Sequence, residues 1–233
     1  MMGRSHALSG AAGWLALAPP LAAATDIPME PAGLAAGAVV TAGAALLPDL
    51  DHPSSTVARA LGPVSQLLAV AIATLAGGHR QATHSLVFVA AVAAGVWAGM
   101  LSPAKDVVAL ATGGLCVGLA IRALGPQQLR GGGVIDLTLV AWTVALTGIG
   151  WVHLGPVPWL PAAVALGAAL HLAGDCLTPQ GCPLLWPHPA RCAWPVLSRT
   201  GGPAEALITG GLALAVAYLA YAVLVPSLPL ALT

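Results

Sequence analysis

Asp49-Leu50-Asp51-His52 lies between Pro48 and Pro53 and sets two carboxylates and an imidazole side by side. Oxygen and nitrogen donors of this kind build hydrolytic metal centres. Pro53 biases His52 towards an extended backbone, and a non-helical turn lets adjacent side chains fan out around an ion. An acidic turn closing a helix is the bland alternative, but acids at a helix C-terminus oppose its dipole. Downstream, His79-Arg80-Gln81-Ala82-Thr83-His84-Ser85 brackets an arginine with two imidazoles. The planar guanidinium suits a phosphate or carboxylate, and Thr83 or Ser85 is placed to cap the helix that follows. His171 and Asp175 are four apart in a helical stretch, so they project from one face about one turn apart. That spacing fits a ligand pair, a ligand with its orienting partner, or an interhelical hydrogen bond. His6 stands alone near the N-terminus.

These residues stand out because the elements that must carry them are apolar. Of 233 residues, 58% are hydrophobic and 7% charged, against roughly 25% charged in soluble domains. An ionisable group at a helix centre in a bilayer costs about 2.5–3.5 kcal/mol on the lenient scale, so clustered ones imply use. Zero net charge and the lack of a basic patch exclude a nucleic-acid partner. Cys116, Cys176, Cys182 and Cys192 show no CxxC spacing, and with His188 nearby they read as reduced thiols more readily than as a zinc site. Arg4, an apolar run from Ala7 to Leu21 and then Ala22-Ala23-Ala24 imitate a signal peptide. Cleavage would discard His6, but the same segment also works as a first span returning through 32–47, so retention is expected.

Apolar stretches cover about 7–24, 32–47, 61–76, 85–101, 107–124, 134–153, 157–174 and 204–225. Gly62-Pro63, Ser65 and Gln66 break the start of 61–76. If that stretch crossed the bilayer, the Asp49–His52 and His79–His84 clusters would face opposite sides; lying in the interface or re-entering, it leaves them together. The second layout puts Arg4, Arg59, Arg80, Arg122, Arg130, Arg191 and Arg199 on one side and Lys105 on the other. The positive-inside rule makes the arginine side cytoplasmic. The expected fold is an all-α polytopic integral membrane bundle: seven transmembrane helices, an interfacial or re-entrant helix, and one domain over 1–233. Asp106 and Asp136 read as helix-start acids, the tryptophans Trp14, Trp97, Trp151 and Trp159 as interfacial anchors, and Gly131-Gly132-Gly133 as a flexible loop without a phosphate-binding pattern.

Leu47-Pro48-Asp49-Leu50-Asp51-His52-Pro53, Gly78-His79-Arg80 with Thr83-His84-Ser85, and His171-Leu172-Ala173-Gly174-Asp175 running into Leu177-Thr178-Pro179-Gln180-Gly181 and Leu184-Leu185-Trp186-Pro187 resemble the YdjM-like family, in family order. That family is described as LexA-regulated, inner-membrane, metal-dependent hydrolases. His6 with Gly10 resembles its N-terminal His-xxx-Gly, and Glu205 the acid that begins the last helix. Gln81 replaces a common glycine without removing a ligand, and 104–155 reads as an extra helical pair relative to shorter members. The resemblance implies metal-dependent hydrolysis at the bacterial inner membrane. Its expected ligands come from His6, Asp49, Asp51, His52, His79, His84, His171 and Asp175, too many for one four-coordinate ion and suited to two. Imidazole-rich donors favour zinc, with manganese or iron as alternatives. Arg80 is expected to hold an anionic group and Asp175 or an unligated histidine to manage the proton, with Glu205 as a further candidate at the site. A site at headgroup depth points to membrane lipids as partners and to a lipid or lipid-linked phosphoester as substrate. The rival reading is a metal-ion transporter, or a scaffold with a structural metal; transport calls for donors near the midplane on broken helices, whereas these cluster at span ends.

Overall fold

The protein is described by a computed structural model covering residues 2–25, 27, 29–53, 55, 58, 63–125, 137–154 and 157–225. Arg59, Arg130, Asp136 and the glycine loop at 131–133 lie outside the described residues. The described chain forms helices α1 (Gly3–Thr25), α2 (Pro31–Ala44), α3 (Pro63–Leu75), α4 (Leu86–Met100), α5 (Lys105–Leu124), α6 (Leu137–Leu154), α7 (Leu160–Cys176) and α8 (Pro203–Leu224), with 3-10 turns at Pro48–Asp51 and Ala82–His84. Ser85 caps α4, its hydroxyl accepting the Phe88 N–H at 3.3 Å, which selects Ser85 over Thr83 for that role.

Among the described residues, five helical segments are long and apolar enough to cross a membrane: α1, α2 extended through Asp51, α5, α6 and α8. The seven crossings expected from the sequence also counted α4 and α7, which have 15 and 17 residues, fewer than the ~20 of an ordinary span. α3 has 13 residues. It packs on the Pro48–Asp51 turn, buries Ala69 and turns Leu67, Leu68, Val70 and Leu75 outward. The two polar clusters flanking it meet, with His79 Nδ1 2.7 Å from Asp51 Oδ1. α3 therefore does not carry the chain from one end of the bundle to the other.

α2 is the hub, packing on α1, α5 and α7, while α1 also meets α7 and α8, and α5 pairs with α6. Small residues make this possible, as they do where helices must associate without a hydrophobic driving force. A β-carbon on Gly10 of α1 would stand 2.5 Å from the Thr41 carbonyl oxygen, and one on Gly167 of α7 2.6 Å from the same atom. Both helices thus press on one turn of α2, two turns before the acids that follow it. Trp14 and Trp159, expected at the interface, are instead 1% and 5% exposed. Their rings pack at 5.3 Å between centroids, and Trp14 Nε1 donates to the Leu34 carbonyl at 3.1 Å. An indole with its N–H satisfied serves equally well as core.

Candidate metal centre

The start of α1, the turn after α2, the 79–84 segment and the last turns of α7 converge at one end of the bundle. They bring together two groups of donors, Asp49, Asp51, His79 and His84 in one and His6, His171 and Asp175 in the other, each group within 4.8 Å. His52 sits beside them, its ring 4.5 Å from that of His79 between centroids, and belongs to neither group. His6, Asp51, His84, His171 and Asp175 are at most 1% exposed. The side chains of Asp49 and His79 retain 20% and 31% exposure, so they form the mouth.

The groups join at two imidazoles. His84 Nε2 lies 3.2 Å from His171 Nε2. Around them, Asp49 Oδ1 is 3.8 and 3.7 Å away, and Asp175 Oδ2 3.6 and 3.7 Å away. Proton counting fixes both tautomers. His171 Nδ1 faces the Ala45 carbonyl at 2.7 Å; a carbonyl only accepts, so Nδ1 carries hydrogen and a neutral ring presents a lone pair at Nε2. The Thr83 hydroxyl spends its hydrogen on Asp51 Oδ2, so at 3.1 Å it accepts from His84 Nδ1, again leaving a lone pair at Nε2. Two lone pairs facing at 3.2 Å repel unless a cation, a proton or a metal ion, lies between them. Burial alone would lower the His84 pKa, yet the Asp49 and Asp51 carboxylates prevail and raise it above its ordinary value. Donors around a tetrahedral zinc sit about 3.3 Å apart, given zinc–nitrogen bonds of about 2.0–2.1 Å, close to the spacing seen here. The ring nitrogens of His6 make no hydrogen bond among the described residues although buried, with Nε2 3.3 Å from Asp175 Oδ1. A nitrogen and oxygen donor set with orphaned imidazole nitrogens fits a bound divalent cation.

Surrounding groups hold these donors in place. Arg80 follows Gly77 and Gly78 and adopts φ 58°, a left-handed conformation that costs a non-glycine residue roughly 1–2 kcal/mol. Held so, its backbone N–H donates to Asp51 Oδ2 at 3.2 Å, while its guanidinium reaches Asp175 Oδ2 at 2.8 Å and Thr178 Oγ1 at 3.1 Å. Arg80 was expected to grip an anionic ligand; at 8% exposure its fork is engaged by Asp175 and Thr178. The Glu205 carboxylate likewise accepts from the Met2 N–H, from Ser5 Oγ at 2.8 Å and from the Gly201 N–H at 2.7 Å. It ties the first turn of α1, and so His6, to α8. Thr178, Ser5 and the Ala45 carbonyl were not singled out in the sequence; only Thr178, inside the motif after Asp175, carried a signal there. Burial pushes the Cys182 thiol up, which disfavours the thiolate a metal would need.

No curated protein and no solved structure matches the chain. What does match, over residues 1–228, is the family model of the YdjM inner membrane protein, and the chain belongs to that family of the inner membrane.

Proposed function

We propose that this protein is a membrane-bound metal-dependent hydrolase acting at the cytoplasmic membrane face on the phosphoester of a lipid or lipid-linked substrate. The observation that carries the reading is the apposition of the His84 and His171 Nε2 atoms, 3.2 Å apart and flanked by Asp49 and Asp175. Zinc suits the imidazole-rich donors best, with manganese or iron as alternatives. Asp49, Asp51, His79 and His84 on one side and His6, His171 and Asp175 on the other would hold the metal, in number enough for two ions. When bound, such ions supply Lewis-acid polarisation and a nucleophilic water at neutral pH.

The chain's own residues do the rest. The Ala45 carbonyl and the Thr83 hydroxyl keep His171 and His84 in the tautomer that presents Nε2. Arg80 orients Asp175 and places positive charge where an anionic group would gather. His79, bonded through Nδ1 to Asp51 and a third exposed, lines the mouth, and Asp175 or a histidine left unligated handles the proton. α3 adjoins that mouth through the Pro48–Asp51 turn, and its outward leucines support an amphiphilic substrate. Seven crossings with the N-terminus inside complete the reading, with α7 a short helix packed among its neighbours and α4 a short helix that turns most of its surface outward.

Complete burial of His6, His84 and His171 supports a second reading, a scaffold whose metal is structural. Metal analysis of detergent-purified protein, with hydrolysis measured on phospholipids, lipid-linked phosphates and model diesters, separates the two. About two bound metal equivalents with hydrolysis of at least one substrate is the expected result. Full metal with no hydrolysis selects the scaffold, and protein that takes up no metal removes both.

A further inference from the structure

We infer that Arg191, in the loop between α7 and α8, is a positioning residue that holds the left-handed conformation of Arg80 and thereby fixes the distance between the two donor groups. Its guanidinium collects three backbone carbonyls from two segments: Nε donates to Gln180 at 2.8 Å, and Nη2 to Gly181 at 3.1 Å and to Arg80 at 3.3 Å. The base from which it reaches is rigid. The next residue, Cys192, exchanges two backbone hydrogen bonds with Cys182, at 3.0 and 2.8 Å. Gly181 itself has φ 57°, and a β-carbon there would collide with the Cys192 carbonyl, so the 180–192 loop has little room to rearrange.

What Arg191 holds is the one described non-glycine residue at positive φ. A strained conformation persists only where its surroundings over-determine it. Arg80 is fixed by its N–H on Asp51, by its side chain on Asp175 and Thr178, and by its carbonyl on Arg191. Because the N–H reaches the Asp51 group and the guanidinium reaches Asp175 in the other, the backbone angle at residue 80 sets how the two groups meet. Removing the anchor on the carbonyl lets the peptide relax, and Asp51 and Asp175 then lose their shared tie. Residues that orient ligands without touching the metal are typically worth about 10–100-fold in metal affinity. The metal arm of the test rests on the proposed metal centre; the backbone arm does not.

The experiment compares wild type, Arg191→Ala, Arg191→Lys and the surface control Arg199→Ala. Hydrogen exchange of the 77–85 segment is followed in metal-free protein, and zinc affinity by titration. Arg191→Ala should speed exchange in 77–85 severalfold while leaving α5 and α8 unchanged, and should weaken zinc by about ten-fold or more. Arg191→Lys, which can reach a carbonyl but lacks the planar fork, should recover part of both effects, and Arg199→Ala should show neither. Unchanged exchange in 77–85, or exchange accelerated equally throughout the bundle, would overturn the inference. Wild-type protein that binds no zinc would remove the metal-centre reading and leave the exchange comparison to decide the role of Arg191.

Discussion

The controlling fact among the side chains is that His84 and His171 present the same ring nitrogen, Nε2, to each other at 3.2 Å. In metal-free protein the proton between them is favoured by Asp49 and Asp51, which raise the His84 pKa above 6.5. A raised folded-state pKa stabilises the fold fully below the unfolded value and loses that contribution as pH rises through the folded value. Metal must displace this proton, so zinc affinity should increase with pH, and the increase should continue above 6.5. Titrations across the range from about pH 6 to 8 check this; a flat affinity would mean that His84 is not a ligand. The surrounding residues divide by role. Asp51→Ala should lose metal and hydrolysis together, because the carboxylate that gathers His79, Thr83 and Arg80 is gone. Arg80→Lys keeps the backbone N–H on Asp51 and a charge beside Asp175, so it should keep metal but lower turnover by about ten-fold or more, since a lysine cannot also engage Thr178 as a fork does. Equal losses of metal and turnover in both variants would contradict the division. The donors were legible in the sequence because ionisable residues are conspicuous in an apolar chain. Their tautomers were not: they depend on a hydroxyl whose hydrogen is already committed, and on a carbonyl 126 positions from His171.

Elements explain how those side chains reach one another. Gly10 and Gly167 admit α1 and α7 to the Thr41 turn of α2, and this approach sets the height at which His6 and His171 meet Asp49. Gly167→Val should be the more damaging change, since its β-carbon meets the Thr41 carbonyl at 2.6 Å and the Ala44 side chain at 2.7 Å. Backbone cannot step aside as a flexible side chain can. A loss of about 1–3 kcal/mol is expected from such overpacking, together with loss of metal as His171 leaves the Ala45 carbonyl. Gly148→Val, where a new β-carbon meets nothing within 4 Å, is the control. Thermal unfolding with and without zinc reads both; equal behaviour of the two variants would show that the approach is not what positions His171. The helices themselves were legible from their apolar runs and from Pro and Gly punctuation. Which face of each meets protein was not, because a helix apolar on all sides carries no stripe to distinguish lipid from neighbour. Trp14 illustrates the difficulty: the same indole that reads as an interfacial anchor closes the α1–α2 contact on Leu34.

For the whole molecule, the contacts fix which helix ends lie together. His6 opens α1, Asp49 follows α2 and Asp175 closes α7, so those three ends meet at the metal-like cluster. Glu205, at the start of α8, bonds Met2 and Ser5 and places that end there as well. α5 runs alongside α2 in the same direction: Ala32 and Ala36 share a cavity with Ala109 and Gly113, while Gly43 packs on Cys116 further along. Lys105, which opens α5, therefore belongs to the far end, and Arg4, Arg80, Arg122 and Arg191 to the end of the cluster. This asymmetry is the pattern of an arginine-rich cytoplasmic face, and it weighs most in short loops near span ends. Reporter fusions should accordingly read cytoplasm after Arg199 and exterior at Lys105. A further fusion after Leu224 tests the polarity of α8 independently of α5, and it too should read exterior. The cluster and Lys105 reported on the same side would mean that α5 does not cross, and the candidate site would then lie in a bundle of different membrane depth. A fusion at Lys105 that reads cytoplasm while Arg199 reads exterior would leave the bundle intact but invert it, moving the proposed chemistry to the outer face.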